Sequence, residues 1–100
     1  MIVSNEPGYY KTGEYGIRIE NLQYVSEDIE PPKGAERDML GFETLTLAPL
    51  HHSLIDISIL TPAEISYVDS YHSRVWREIS PLIEGEAKVW LEHACKPLGA

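Results

Sequence analysis

The chain predicts an α+β fold in which antiparallel strands come first and two helices follow. Three observations carry this. Residues 17–25 and 42–47 alternate apolar and polar side chains with the two-residue period of a strand. Thr61-Pro62-Ala63-Glu64 presents both halves of a capping box with proline at the first helical position, so a helix begins there. Ile65, Val68, His72, Val75, Trp76 and Ile79 then recur at three- and four-residue spacing, the stripe of an amphipathic helix that ends before Pro81.

The elements follow in order. Ile2 and Val3 read as the end of a strand that Glu6-Pro7-Gly8 breaks. Tyr9 and Tyr10 resume an extended stretch, and Lys11 to Gly16 turn it back, with Gly13 and Gly16 available for positive φ. The return strand runs from about Ile17 to Val25, and Leu22 and Tyr24 continue the alternation begun by Arg18-Ile19-Glu20. Residues 26–40 are polar and carry Pro31-Pro32 and Gly34, the composition of an exposed loop. Phe42 to Leu47 form the next strand, stopped at Pro49, and the strand-rich half gives way to the helical half near Thr61. A second helix is expected over about Glu86 to Ala94, burying Ala87, Trp90, Leu91 and Ala94 and closed by Pro97. The two helices form a pair that must cover the sheet or another subunit.

Composition bounds the function. A length of 100 residues with 43% hydrophobic content suits one small soluble domain with a modest core. Sixteen acidic against eight basic residues give a formal charge of −8, which repels phosphate backbones and anionic lipid surfaces, so no nucleic acid is expected as a partner. No apolar run approaches the roughly 20 residues that span a bilayer, and no signal-peptide core follows Met1. The expectation is a cytoplasmic protein with no membrane partner. Cys95 is the one cysteine, without a partner for a disulfide or a metal-ligand spacing, and reads as a small hydrophobe.

The chemistry lies in the first hairpin. Alternation sends Arg18 and Glu20 to one face of their strand and Ile17 and Ile19 to the other, so the isoleucines can pack a core while the charges face a cleft. If the strand carrying Glu6 pairs with that carrying Glu20, the two carboxylates can share a hard divalent cation, which prefers oxygen ligands. Arg18 would then orient a carboxylate and keep it ionised. The alternative reading of the same spacing is a solvated sheet face.

The residues themselves narrow this. Ser4-Asn5-Glu6-Pro7-Gly8-Tyr9-Tyr10 with Gly16-Ile17-Arg18-Ile19-Glu20-Asn21 closely resembles the end of the catalytic domain of Xaa-Pro aminopeptidases, the aminopeptidase P branch of the pita-bread metallopeptidases. Phe42 to Pro49, Leu54-Ile55-Asp56 and Leu60 to Glu64 resemble the family's next strand and the start of its C-terminal helical extension, and Trp90 to Leu98 resemble its ending. The Glu-Pro-Gly and Arg-Ile-Glu pieces also fit prolidases, whereas the extension fits the branch. The resemblance implies the C-terminal part of a pita-bread fold, with residues 1–50 ending the catalytic domain and 51–100 forming the helical extension.

It further implies that Glu6 and Glu20 are two of five ligands to a pair of divalent ions, usually Mn²⁺. Glu20 would bridge the ions, Glu6 would also move protons during turnover, and Arg18 would support the site. Two ions about 3.5–4 Å apart can acidify a shared water and stabilise an oxyanion. The implied reaction removes the N-terminal residue of a peptide with proline at its second position. Tyr10 fits either a pocket-lining or a buried structural role. The family's other ligands, two aspartates and a histidine, come from upstream segments that this chain does not carry. His51 and His52 fall in a loop and read as solvent-exposed, and His72 and His93 fall on helices, so none replaces them. The chain by itself is therefore expected to bind a divalent ion weakly or not at all and to be inactive.

Two functional readings result. In the first, the chain is the C-terminal portion of a Xaa-Pro aminopeptidase, supplying two metal ligands and an extension that forms a homodimer, with Trp76 and Trp90 as core residues or interface anchors. In the second, it is a non-enzymatic module that binds itself or a partner and carries a vestigial metal site.

Overall fold

The structure, a computed structural model, describes residues 1–26 and 40–99. Apart from Ser26 and Leu40, the loop expected over residues 26–40 lies outside the described residues. The chain divides into two compact units, Met1–Thr46 and Leu47–Ala100.

Among the described residues, the first unit has five short strands, β1 (Ile2–Asn5), β2 (Gly8–Lys11), β3 (Tyr15–Arg18), β4 (Asn21–Ser26) and β5 (Gly41–Thr44). β1, β4 and β5 form an antiparallel sheet with β4 in the centre, and β2 and β3 form an antiparallel ribbon. The expected return strand is thus two strands separated by Ile19 and Glu20. Pro7 is the physical reason: it has no N–H to donate, so the ladder drops a bond there and keeps only the one from Ile19 N–H to Pro7 O, at 3.1 Å. Of the two turn glycines, Gly13 alone adopts a positive φ, 75°. The turn is closed by Glu14 N–H donating to Lys11 O at 3.0 Å and by a Lys11–Glu14 ion pair of the same length.

β5 stops at Thr44, short of the strand expected to reach Leu47. Leu45 N–H still donates to Leu22 O at 2.7 Å, but Leu22 N–H is taken by the Thr46 hydroxyl at 2.7 Å, so a side chain replaces the next rung. In β4, Leu22 and Tyr24 are exposed while Asn21, Gln23 and Val25 are half-buried. Gln23 keeps its amide satisfied across three strands, accepting from Asn5 at 3.4 Å and donating to Thr44 at 3.3 Å. Ile17 and Ile19, expected in a core, are 44% and 51% exposed, because no described residue of this unit forms a second layer over them.

The second unit carries α1 (Pro62–Ile79) and α2 (Glu86–Ala94), at the positions that the caps and periodicity predict. Thr61 accepts from Glu64 N–H at 3.2 Å and Glu64 accepts from Thr61 N–H at 2.9 Å, which completes the capping box. The Thr61 backbone N–H, and after it the Thr61 hydroxyl, stabilise the Glu64 carboxylate and hold that carboxyl below its ordinary range. Tyr71, Val75 and Leu91 form the core cluster, and Leu47, Leu50, Trp76, Ile79, Ile83 and Cys95 pack around it. Tyr71 lies outside the stripe that spacing selects, yet its ring is buried because its hydroxyl donates to Ala48 O at 2.6 Å and accepts from Ala48 N–H at 3.2 Å. Burial pushes that hydroxyl above its ordinary value. On α2 only Leu91 is buried; Ala87 and Trp90 are exposed, Trp90 by 62%, contrary to the predicted face. Nine residues give the helix two and a half turns, and Leu91 with half-buried Ala94 and Cys95 fills its contact with the core. Gly85 caps it at φ 66° and ψ −138°, a conformation open essentially to glycine.

Candidate functional site

The β1–β4 and β2–β3 ladders share one register. Asn5 pairs with Asn21 at the end of the first, and Gly8 pairs with Arg18 at the start of the second. The two-residue interval between them therefore sets Glu6 opposite Glu20 and Pro7 opposite Ile19. Both glutamates lie in the gap between the two ladders, at matching positions of one long, interrupted hairpin.

Arg18 Nε stands 3.5 Å from the Glu20 carboxylate, with the two side chains 51% and 41% exposed. The guanidinium at the end of β3 thus stands beside Glu20 in the β3–β4 link, while Glu6 is exposed in the link between β1 and β2. Gly8, Tyr10, Gly16 and Arg18 share a face of the ribbon, since directly paired residues project to the same side. A Cβ on Gly16 would lie 2.6 Å from Tyr10 Cδ1, and one on Gly8 would lie 2.8 Å from the Tyr10 hydroxyl. The Tyr10 ring therefore lies across both glycines. It is 64% exposed, so the buried structural reading of this tyrosine does not hold for the described residues. Gly16 is required by this ring and not by its backbone angle.

Two carboxylates at matching positions of the hairpin, one with a guanidinium beside it, offer hard oxygen donors suited to a divalent ion. They fit as part of a ligand set: among the described residues, no group of three or more His, Cys, Asp or Glu side chains is placed to hold a metal. The second unit has a cleft of about 340 Å³ lined by His51, His52, Trp90, His93 and Lys96 together with Pro49 and its neighbours. His51 is exposed and its Nδ1 accepts from Ser53 N–H at 3.3 Å. His52 departs from the exposed loop histidine that the sequence suggests: it is half-buried, with its ring 5.2 Å from that of His72. No local pattern flags this pairing, because it depends on how residues 47–54 lie on α1.

The family model describing the C-terminal region of peptidase M24 matches residues 38–98. The chain belongs to that family. Its fold is α+β and corresponds to the C-terminal part of the pita-bread architecture: it superposes on the X-prolyl aminopeptidase of Caenorhabditis elegans with a TM-score of 0.80 at 36% identity, covering 96% of this chain and 16% of that one. The worm protein is described as a cytosolic enzyme with a dinuclear active site. In sequence the chain is 43% identical to a probable Xaa-Pro aminopeptidase P of Laccaria bicolor, over 98% of this chain and 16% of the relative. It is 44% identical to aminopeptidase P2 of Arabidopsis thaliana, over 98% of this chain and 14% of the relative. The chain thus spans about one sixth of the length of the relatives it matches. Among the described residues, no helix is long and apolar enough to cross a membrane.

Proposed function

We propose that Glu6 and Glu20 are two ligands of a dinuclear metal centre in a Xaa-Pro aminopeptidase, and that this chain contributes its C-terminal portion. The observation that carries the reading is the common register of the two ladders, which sets Glu6 opposite Glu20 with Arg18 at 3.5 Å from the latter. The likeness to aminopeptidases with Xaa-Pro specificity supports the substrate class, a peptide with proline second, and the worm enzyme's dinuclear site supports the metal class. Bound divalent ions, Mn²⁺ in this reading, would supply an acidified water and stabilise the oxyanion.

The chain's own residues do the rest. Glu6 and Glu20 supply anionic oxygens from opposite strands, and Glu6 in addition accepts and returns a proton during hydrolysis. Arg18 holds Glu20 in orientation and disfavours its protonation. Residues 1–50 close the catalytic domain, residues 51–100 form a helical extension, and a homodimer through the extension fits the exposed Trp90. The setting in this reading is cytoplasmic. The rest of the catalytic domain would cover the exposed Ile17 and Ile19 and complete the ligand set.

With two carboxylates and no third ligand among the described residues, the chain alone binds metal weakly and turns over no substrate. Two measurements test this. Mn²⁺ titrated into the labelled chain should broaden resonances at Glu6 and Glu20 first, and broadening elsewhere with none in the hairpin overturns the ligand assignment. Xaa-Pro peptides with added Mn²⁺ should give no hydrolysis above blank, and saturable turnover refutes the inactivity of the isolated chain.

A further inference from the structure

His72 is wholly buried on α1, and its two ring nitrogens have different surroundings. Nε2 accepts from Leu50 N–H at 2.9 Å, so the neutral ring carries its proton on Nδ1. Nδ1 has no hydrogen-bond partner, and neither does the buried Nε2 of the adjacent His52. The His52 and His72 rings are 5.2 Å apart and tilted by 32°. Together with the two Tyr71–Ala48 bonds, the Leu50 bond ties residues 47–54 to α1 through backbone groups. Of these three bonds only the one from Leu50 depends on an acceptor nitrogen of His72, so the tie beyond Ala48 is conditional on the charge of that ring.

We propose that His72 is an acid-operated latch: neutral, it accepts the Leu50 N–H and holds the segment after Ala48 on α1, and protonated, it releases that segment while Tyr71 keeps Ala48 in place. An imidazolium donates from both nitrogens, so the Leu50 N–H would confront another N–H and lose its acceptor. The charge would also arise in a site with no exposed surface, where an unpaired ion is strongly disfavoured. The groups around it set the balance. His52 faces it from the 47–54 segment and disfavours a positive charge on His72. Asp69, one turn earlier on α1, favours the charge, but its Oδ1 accepts from Leu98 N–H at 2.9 Å. Tyr71, with its ring 5.8 Å away, has a hydroxyl pushed up by burial and stays neutral. Cys95, packed on the same core cluster, has a thiol raised by burial and stays neutral too.

Burial, and then His52, hold the His72 imidazole below its ordinary value of about 6.5. The sign follows: below that value the unfolded ring takes up a proton that the folded ring refuses. The latch's stability is therefore complete above about pH 6.5 and is lost as pH falls through that value toward the depressed folded one. Release would open the cleft that Pro49 to Ser53 share with Trp90 and His93.

The test is an NMR titration of the 100-residue chain from pH 7.5 to 5. At pH 7.5 the His72 ring should show the Nδ1–H tautomer. Leu50 amide protection, corrected for intrinsic exchange, should vanish in step with protonation of that ring while the Glu64 amide in the capping box stays protected. The unfolding constant in urea should rise by up to about tenfold per pH unit below pH 6.5, and His72→Gln, whose carbonyl can accept from Leu50 without titrating, should flatten that rise. An Nε2–H tautomer, Leu50 protection that survives protonation of His72, or an undiminished pH dependence in His72→Gln overturns the latch. Should His72→Gln not fold, the tautomer and the Leu50 exchange in the unsubstituted chain decide the matter.

Discussion

In the unit Leu47–Ala100, buried Tyr71, Val75 and Leu91 come together from both helices and Leu98 is buried in the tail, whereas in Met1–Thr46 the buried side chain among the described residues is that of Ser26. The first unit is held by ladder hydrogen bonds, a tight turn and a polar chain from Asn5 through Gln23 to Thr44. The second is held by packing around Val75. Local pairing fixes where Glu6 and Glu20 stand, but it does not bury apolar area, the dominant favourable term in folding. The unit with the candidate chemistry is thus specified by register, and the unit without it is specified by a core.

Substitutions should separate the two. The largest effect is expected from Leu91→Ala, which removes a core side chain and leaves a cavity, at a cost of about 2–5 kcal/mol. Urea unfolding followed through Trp76 reads this, while Ile17→Ala in the ribbon should change the midpoint little; equal losses at both positions would erase the contrast. Next comes Gly85→Ala. No atom lies within 4 Å of the added Cβ, so the expected penalty of about 1–3 kcal/mol is backbone strain alone, and an unchanged midpoint would mean that the positive φ is not retained.

Thr61→Ala should cost about 1 kcal/mol by removing the acceptor for Glu64 N–H, visible as faster amide exchange in the first turn of α1 with the hairpin amides unaffected. The smallest effect is expected for Arg18→Ala. Its ion pair with Glu20 is half-exposed, and such pairs contribute about 0–1 kcal/mol. A larger loss of stability would make Arg18 a structural residue of the hairpin and weaken its assignment to the metal centre.

Legibility differed between the units in the same physical terms. The bounds of α1 and α2 were readable because caps, proline and three-to-four spacing are local signals. The hairpin was readable from its alternation, and the register of its two ladders puts Glu6 and Glu20 at matching positions. The break at Ile19 and Glu20 was less so, since it needs Pro7 to be directly opposite Ile19. The exposure of Trp90, the burial of Tyr71 and the meeting of His52 with His72 had no local signal. The burial of Tyr71 rests on Ala48, 23 positions away, the two histidines are 20 positions apart, and the exposure of Trp90 depends on which turn of a short helix meets the core.

The sequence by itself determined the order of elements, the caps of α1 and the family, because these rest on residue types at short, fixed spacing. The tertiary structure decided which nitrogen of His72 is an acceptor and which aromatic rings are covered. It also decided that Gly16 serves the Tyr10 ring, although its backbone angle would admit other residues. Those properties depend on distances between segments far apart in the chain, which no periodicity encodes.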